Sequence, residues 1–302
     1  MKPEVGVKNQ ISIWVEASRP RTLRAAVTPV VIGTAAASGI GAVRPGLAGF
    51  ALLSAILIQV GTNFVNDLGD GLRGADEASR LGPPRAVGSG AVLPGTMRNA
   101  AVLAFSAAAL AGLPLVYAGG WPILLVGVAS ILAGIAYTAG PKPLAWVGLG
   151  DCFVFVFFGL VATLGAEWVQ VGRLDAAGAL GGIGAGALAT AILVVNNLRD
   201  VEGDALVGKR TLVVRLGQGA GRRLWFALVV LAFAVPLFGV GFGLLPPATL
   251  LSLCAVPLAW SPAQRVRRGS GAALAPALGE TARLQLIYGL IFALGLVKNI
   301  LW

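Results

Sequence analysis

Residues 46–76 read GLAGFALLSAILIQVGTNFVNDLGDGLRGAD, an apolar run that passes at once into a segment with three aspartates and two asparagines in fourteen residues. The run to Thr62 is apolar enough to cross a hydrocarbon core of about 30 Å, which takes roughly 20 residues of helix. Composition extends that reading to the whole chain. Of 302 residues, 57% are apolar and only 12% charged, against about 25% charged in a soluble domain, and the mean hydropathy is +0.84. About nine such runs occur, near 22–42, 46–66, 99–118, 121–138, 147–166, 174–196, 224–243, 245–261 and 284–302. No period-two alternation marks a barrel. The expected fold is an all-α polytopic membrane protein, a single domain over residues 1–302. Its polar first 21 residues carry no apolar core and cleavage site of a removable signal peptide.

Charge sets an expected orientation. With the N-terminus in the cytoplasm, all of the 23 basic residues except Arg44, Arg173 and Lys298 fall on cytoplasmic segments, the bias that fixes topology in bacterial membranes. The C-terminus is then outside. The net charge of +10 belongs to topology and contact with anionic lipid, not to nucleic-acid binding. Histidine is absent, which excludes imidazole ligation of zinc or haem and any Ser-His-Asp or Cys-His mechanism. Cys152 and Cys254 sit apart in apolar runs and suggest neither a disulfide framework nor a thiolate metal site.

A second polar segment matches the first. Residues 196–210 read NNLRDVEGDALVGKR, again closing an apolar run. Asn63, Asp67 and Asp70 correspond to Asn196, Asp200 and Asp204, and at about 100° per residue each triple shares roughly one helix face. Both lie at the end of an even-numbered span, on the cytoplasmic side. Taken singly, each reads equally well as a helix-ending loop. Together, four carboxylates around a common space repel by about 3 kcal/mol per pair at ~5 Å and an effective dielectric of about 20. A cation must fill the gap. Oxygen ligands without His or Cys favour Mg²⁺, completed by water and substrate phosphates, so two aspartate banks clamping a diphosphate through magnesium is the expected chemistry.

Four stretches, ASRPRTL (17–23), NFVNDLGDGLRGAD…RLGPPRAVGSG (63–90), YTAGPKPLAWVGLGDCFVFVFFG (137–159) and NNLRDVEGDALVGKRTLVVRLG (196–217), occur in an order and spacing that resembles the UbiA superfamily of intramembrane prenyltransferases. Within it they are most similar to the branch that prenylates 1,4-dihydroxy-2-naphthoate on the route to menaquinone. One departure is Gly88, where the family pattern carries a polar residue. The resemblance implies a UbiA-type bundle in a prokaryotic cell membrane with a cytoplasm-facing site, Mg²⁺ as cofactor, and a polyprenyl diphosphate and the naphthoate as substrates. Prenyl transfer would proceed with loss of CO₂ to demethylmenaquinol. Asp67 and Asp70 would hold one Mg²⁺ and Asp200 and Asp204 another, with Asn63 and Asn196 as neutral ligands or carboxylate-orienting groups. Arg19, Arg21, Lys209 and Arg210 are the candidates for diphosphate contact, with topology signal as the plainer reading, and Arg85 and Lys142 for the aromatic carboxylate.

Asp151 stands in GLGDCFVFVFF at the entrance of a span, and an intramembrane carboxylate is functional by default. It would orient or deprotonate the aromatic diol, with helix capping as the alternative; Tyr137 is its neighbour or an interfacial belt residue. Gly178, Gly182 and Gly186 form a small-xxx-small stripe expected to pack helices closely. Three other classes fit less well. A cation-coupled transporter places its carboxylates near the midplane. A CDP-alcohol phosphotransferase would follow DGLRGA (70–75) with a nearby DxxxD that this chain lacks. A 4-hydroxybenzoate polyprenyltransferase is the sister activity.

Overall fold

The computed structural model describes residues 10–74, 81 and 85–297, with the side chain of Arg21 left out. Asp76, Arg80 and Lys298 lie outside these residues, as does the Arg21 side chain. Every regular element among the described residues is helical. Seven helices are long and apolar enough to cross a membrane. They include α2 (Pro20–Ile40), α3 (Pro45–Leu72), α4 (Pro94–Gly119), α8 (Ala176–Leu206), α10 (Gln218–Gly241) and α12 (Ala275–Leu296, entered through a 3₁₀ turn from Gly271). The seventh, Gly150–Val171, consists of α6 (Gly150–Phe155), a π-helical stretch (Val156–Val161) and α7 (Ala162–Val171). Two of the nine expected runs are shorter. One is α5 (Trp121–Ala136), 16 residues that extend about 24 Å. The other is a 3₁₀ segment, Pro247–Ala259, whose 13 residues reach about 26 Å at the steeper 3₁₀ rise. Short elements complete the chain: α1 (Gln10–Ser18), α9 (Leu212–Leu216) and the basic α11 (Trp260–Arg268).

Short connections at 41–44, 172–175 and 242–246 turn successive helices back on one another, whereas the links 73–93 and 137–149 are longer. The helices that carry the polar segments are the two longest, α3 with 28 residues and α8 with 31, about 42 and 46 Å. Both therefore outrun the hydrocarbon core, and both do so at the same end of the bundle. The core beneath them is divided. Trp225, Leu188, Tyr288, Phe292 and Ile32 pack α2, α8, α10 and α12 together, with the Tyr288 hydroxyl donating to the Ala232 carbonyl at 2.8 Å. Met97, Phe64 and Phe105 join α3 to α4. Large apolar side chains such as Leu103, Leu110, Leu132 and Val230 stay exposed, as a lipid-facing surface requires.

The glycine stripe of α8 behaves as its spacing implies. A Cβ at Gly186 would meet the Phe155 carbonyl oxygen at 2.6 Å, and one at Gly159 would meet the Gly182 oxygen at 2.6 Å. Backbone lies on backbone there, and the π-helical stretch supplies the local widening that seats Gly159 against α8.

Candidate active site

A cavity of about 450 Å³ runs through the bundle from the polar ends of α3 and α8. The lining at its far end is apolar, with Val30, Ala51, Leu115, Ile123, Ala166 and Val169 packed together. Asp70 and Ala51 both line it, and the 19 residue steps that separate them on α3 measure about 28 Å. One end is polar and basic, and the walls beyond are apolar.

On α3, Gln59, Asn63, Asn66 and Asp70 face this cavity. At about 100° per residue these four share roughly 60° of helix face, and Asp67 falls some 40° outside it. Asp67 is accordingly not in the lining. Its buried carboxylate accepts from the backbone N–H groups of Ala86 (3.0 Å) and Val87 (2.8 Å), fixing the loop that includes Gly88. Asn63 donates to the Ser18 carbonyl at 2.8 Å and accepts from Gln59 at 3.2 Å. That contact pins the junction of α1 and α2, where Arg19 adopts a left-handed conformation (φ 52°), a costly one for a non-glycine residue, and its side chain enters the cavity lining.

Asp70 is the hub. Its carboxylate pairs with Arg85 at 2.6 Å, accepts from the Trp146 indole N–H at 3.1 Å and lies 3.8 Å from the Lys209 ammonium. The same ammonium is 3.3 Å from Asp204. Lys209 reaches this point because α8 ends at Leu206 and Gly208 takes φ 75°, the left-handed turn that glycine makes without steric cost. The chain folds back so that the Lys209 N–H donates to the Asp204 carbonyl at 2.8 Å. The two polar segments thus meet through one lysine.

Asp200 points elsewhere. Arg199 grips it bidentately at 2.7 and 2.5 Å and also donates to the Asn196 side-chain oxygen at 2.8 Å. Asn196 lines the cavity, whereas Asp200 and Asp204 do not; Asp204 reaches its charged end only through Lys209. Asp151 and Tyr137 both line it; the Tyr137 hydroxyl stands beside Gly150, and the buried Asp151 Oδ1 has no hydrogen-bond partner. Lys142 and Arg210 are exposed and absent from the lining. The Arg210 backbone N–H instead donates to the Trp146 carbonyl at 3.0 Å, which ties the 139–149 loop to the segment after α8.

Several participants escape a reading of the sequence alone: Gln59, Asn66, Trp146 and Arg199. Gln59 had a signal, a polar residue four positions before Asn63 in an apolar run. Arg199 had none beyond its place next to Asp200, where it reads as a topology charge. Trp146 is oriented by Arg73, whose guanidinium lies 5.3 Å from the indole centroid and donates to the Thr138 and Gly140 carbonyls, each at 2.7 Å.

Among the described residues no three carboxylates converge into a preformed metal cage. The donor set nonetheless suits a hard cation: Asp70 and Asp204 approach one point, and the buried Oδ2 of Asp204 has no partner, an oxygen left open to a ligand.

The sequence pattern of the UbiA prenyltransferase family matches residues 26–294. A 1,4-dihydroxy-2-naphthoate octaprenyltransferase of Mycobacterium tuberculosis is 40% identical over 281 residues, covering 93% of this chain and 95% of its own. One from Escherichia coli is 37% identical over 94% of each. A solved structure of a UbiA homolog from Archaeoglobus fulgidus bound to GPP and Mg²⁺ shares the fold, with a TM-score of 0.66 at 14% identity over 93% of this chain and 99% of that one. With the helical architecture and the paired polar segments in place, a match across nearly the whole length establishes that the chain belongs to the UbiA prenyltransferase family.

Proposed function

We propose that this chain transfers a polyprenyl group from an allylic polyprenyl diphosphate to 1,4-dihydroxy-2-naphthoate, with loss of CO₂, to give demethylmenaquinol. The observation that carries the reading is a cavity about 28 Å long with Asp70, Arg19, Arg85 and Lys209 at one end and apolar walls beyond. The diphosphate belongs at the charged end and the isoprenoid along the wall. The M. tuberculosis and E. coli relatives supply the acceptor by their names.

Asp70 and Asp204 would hold Mg²⁺, with Asn63 and Asn196 about two helical turns away along α3 and α8. Bound there, the metal supplies positive charge to the departing diphosphate. Arg19 and Lys209 line the same end and donate to phosphate oxygens as the C–O bond breaks, stabilising charge that grows in the transition state. The apolar walls exclude water from the allylic cation. Asp151, with an open Oδ1, receives a ring hydroxyl of the acceptor and Tyr137 flanks it, aiming the carboxylate-bearing carbon at the allylic centre. The new C–C bond forms there, and the carboxylate leaves as CO₂, returning its bonding pair to the ring. The charged end faces the cytoplasm in this scheme, with the N-terminus inside.

The test is direct. Purified protein with Mg²⁺, a polyprenyl diphosphate and carboxyl-labelled 1,4-dihydroxy-2-naphthoate should release labelled CO₂ in step with prenylated product. Label retained in the product, or transfer only to 4-hydroxybenzoate, overturns the acceptor assignment.

A further inference from the structure

We propose that Lys209 is the resident counter-ion of the ligand-free site and that its displacement makes metal binding depend on diphosphate. The inference rests on the prenyl-transfer reading and goes beyond it, to the order in which the ligands can assemble.

The geometry is specific. One ammonium touches both carboxylates that would hold the metal, Asp204 at 3.3 Å and Asp70 at 3.8 Å. Arg85 is already on Asp70 at 2.6 Å. The two carboxylates and the two cations that touch them cancel, so this four-group cluster is neutral without any ligand, and Arg19 in the same lining adds positive charge beside it. A buried pair of carboxylates could not persist there uncompensated, which explains why the segments stay together before substrate arrives. A divalent cation entering alone would raise that neutral, poorly hydrated point to two positive charges beside Lys209. Arriving with a diphosphate, it brings a surplus of negative charge, and the ammonium has phosphate oxygens to move to. Lys209 is placed for that transfer, since it also lines the cavity and sits on the turn that follows Gly208. The open Oδ2 of Asp204 leaves one acceptor unspent by the lysine. Lys209 is therefore a positioning residue, holding the carboxylates until phosphate takes it off them.

The experiment titrates MnCl₂ into the full chain in detergent and reads free Mn²⁺ by electron paramagnetic resonance, with and without unreactive farnesyl thiolodiphosphate. Wild type should bind Mn²⁺ about tenfold or more tightly when the thiolodiphosphate is present, within the usual range of site-to-site coupling. Lys209→Gln should bind Mn²⁺ alone about tenfold more tightly than wild type, with the coupling reduced to about threefold or less. Lys209→Arg, which keeps the charge and guards against misfolding of the first variant, should retain weak binding of metal alone. Equal Mn²⁺ affinity of wild type with and without the thiolodiphosphate overturns the inference. So does a folded Lys209→Gln protein that binds metal alone no better than wild type. Because this readout needs no turnover, the labelled-naphthoate assay fails or succeeds separately: transfer without Mn²⁺ coupling removes only the role given to Lys209.

Discussion

Removing Arg85 should cost the ligand-free protein a measurable part of its stability. Arg85 and Asp70 are 7% and 2% exposed at the side chain and 2.6 Å apart, a separation that gives an attraction on the order of 6 kcal/mol at an effective dielectric of about 20. Breaking a buried pair from one side typically costs about 3–5 kcal/mol, because the remaining charge is stranded. Here Asp70 keeps Trp146 and Lys209, so Arg85→Met is expected near the low end, about 3 kcal/mol. Asp70→Asn strands Arg85 less, since one guanidinium nitrogen still donates to the Asn66 carbonyl at 2.5 Å. The double variant should recover on the order of 2 kcal/mol relative to additivity, the signature of contacting groups. The assay is equilibrium unfolding by SDS in mixed micelles, followed by tryptophan fluorescence and run without diphosphate or metal, so that ligand linkage does not mask the effect. Additivity within about 0.5 kcal/mol, or an Arg85→Met protein as stable as wild type, would show that Asp70 is not held by this pair.

Two further outcomes follow from the same packing. Gly186→Ala should destabilise despite the better helix propensity of alanine, by roughly 1–3 kcal/mol, because its Cβ would meet the Phe155 oxygen at 2.6 Å, whereas Gly39→Ala, with nothing within 4 Å, should be neutral or stabilising; equal effects in SDS unfolding would discount the α8 contact. In a background free of Cys152 and Cys254, a cysteine at Ser89 should be shielded from impermeant maleimide in intact cells and one at Leu174 labelled, and the reverse pattern would put the charged end outside.

Periodicity and hydropathy made the helices legible because lipid selects length and apolarity directly. The meeting of the polar segments was legible for a related reason: spans of even number return to the same side. Azimuth was not. Asn63, Asp67 and Asp70 share a helix face loosely enough that sequence cannot say which edge turns to the cavity; the 86–90 loop settles it by offering two N–H groups to Asp67. Basic residues were harder still. Arg199 and Arg85 fit the overall charge bias like most other arginines of the chain, yet one grips Asp200 and the other Asp70. The 3₁₀ winding of Pro247–Ala259 was likewise hidden, since it reflects close packing on α12, where a Cβ at Gly295 would meet Thr249 Cα at 2.6 Å.

The close fit of α8 against the π-helical stretch links fold to chemistry. Gly182 and Gly186 admit the backbone of residues 155–160 to contact distance, and no larger residue would. From that contact, Asp151 lies one turn toward the charged end on one chain, while on α8 the path to Asn196 and Asp204 runs in the same direction. The glycines therefore set how far the candidate ring-aiming carboxylate stands from the carboxylates at the diphosphate end. Crowding at Gly186 would move the two apart, and displacement of about 1 Å between reacting groups can cost on the order of 10²-fold in rate. A stripe of residues with no functional groups thereby governs the alignment of two that have them.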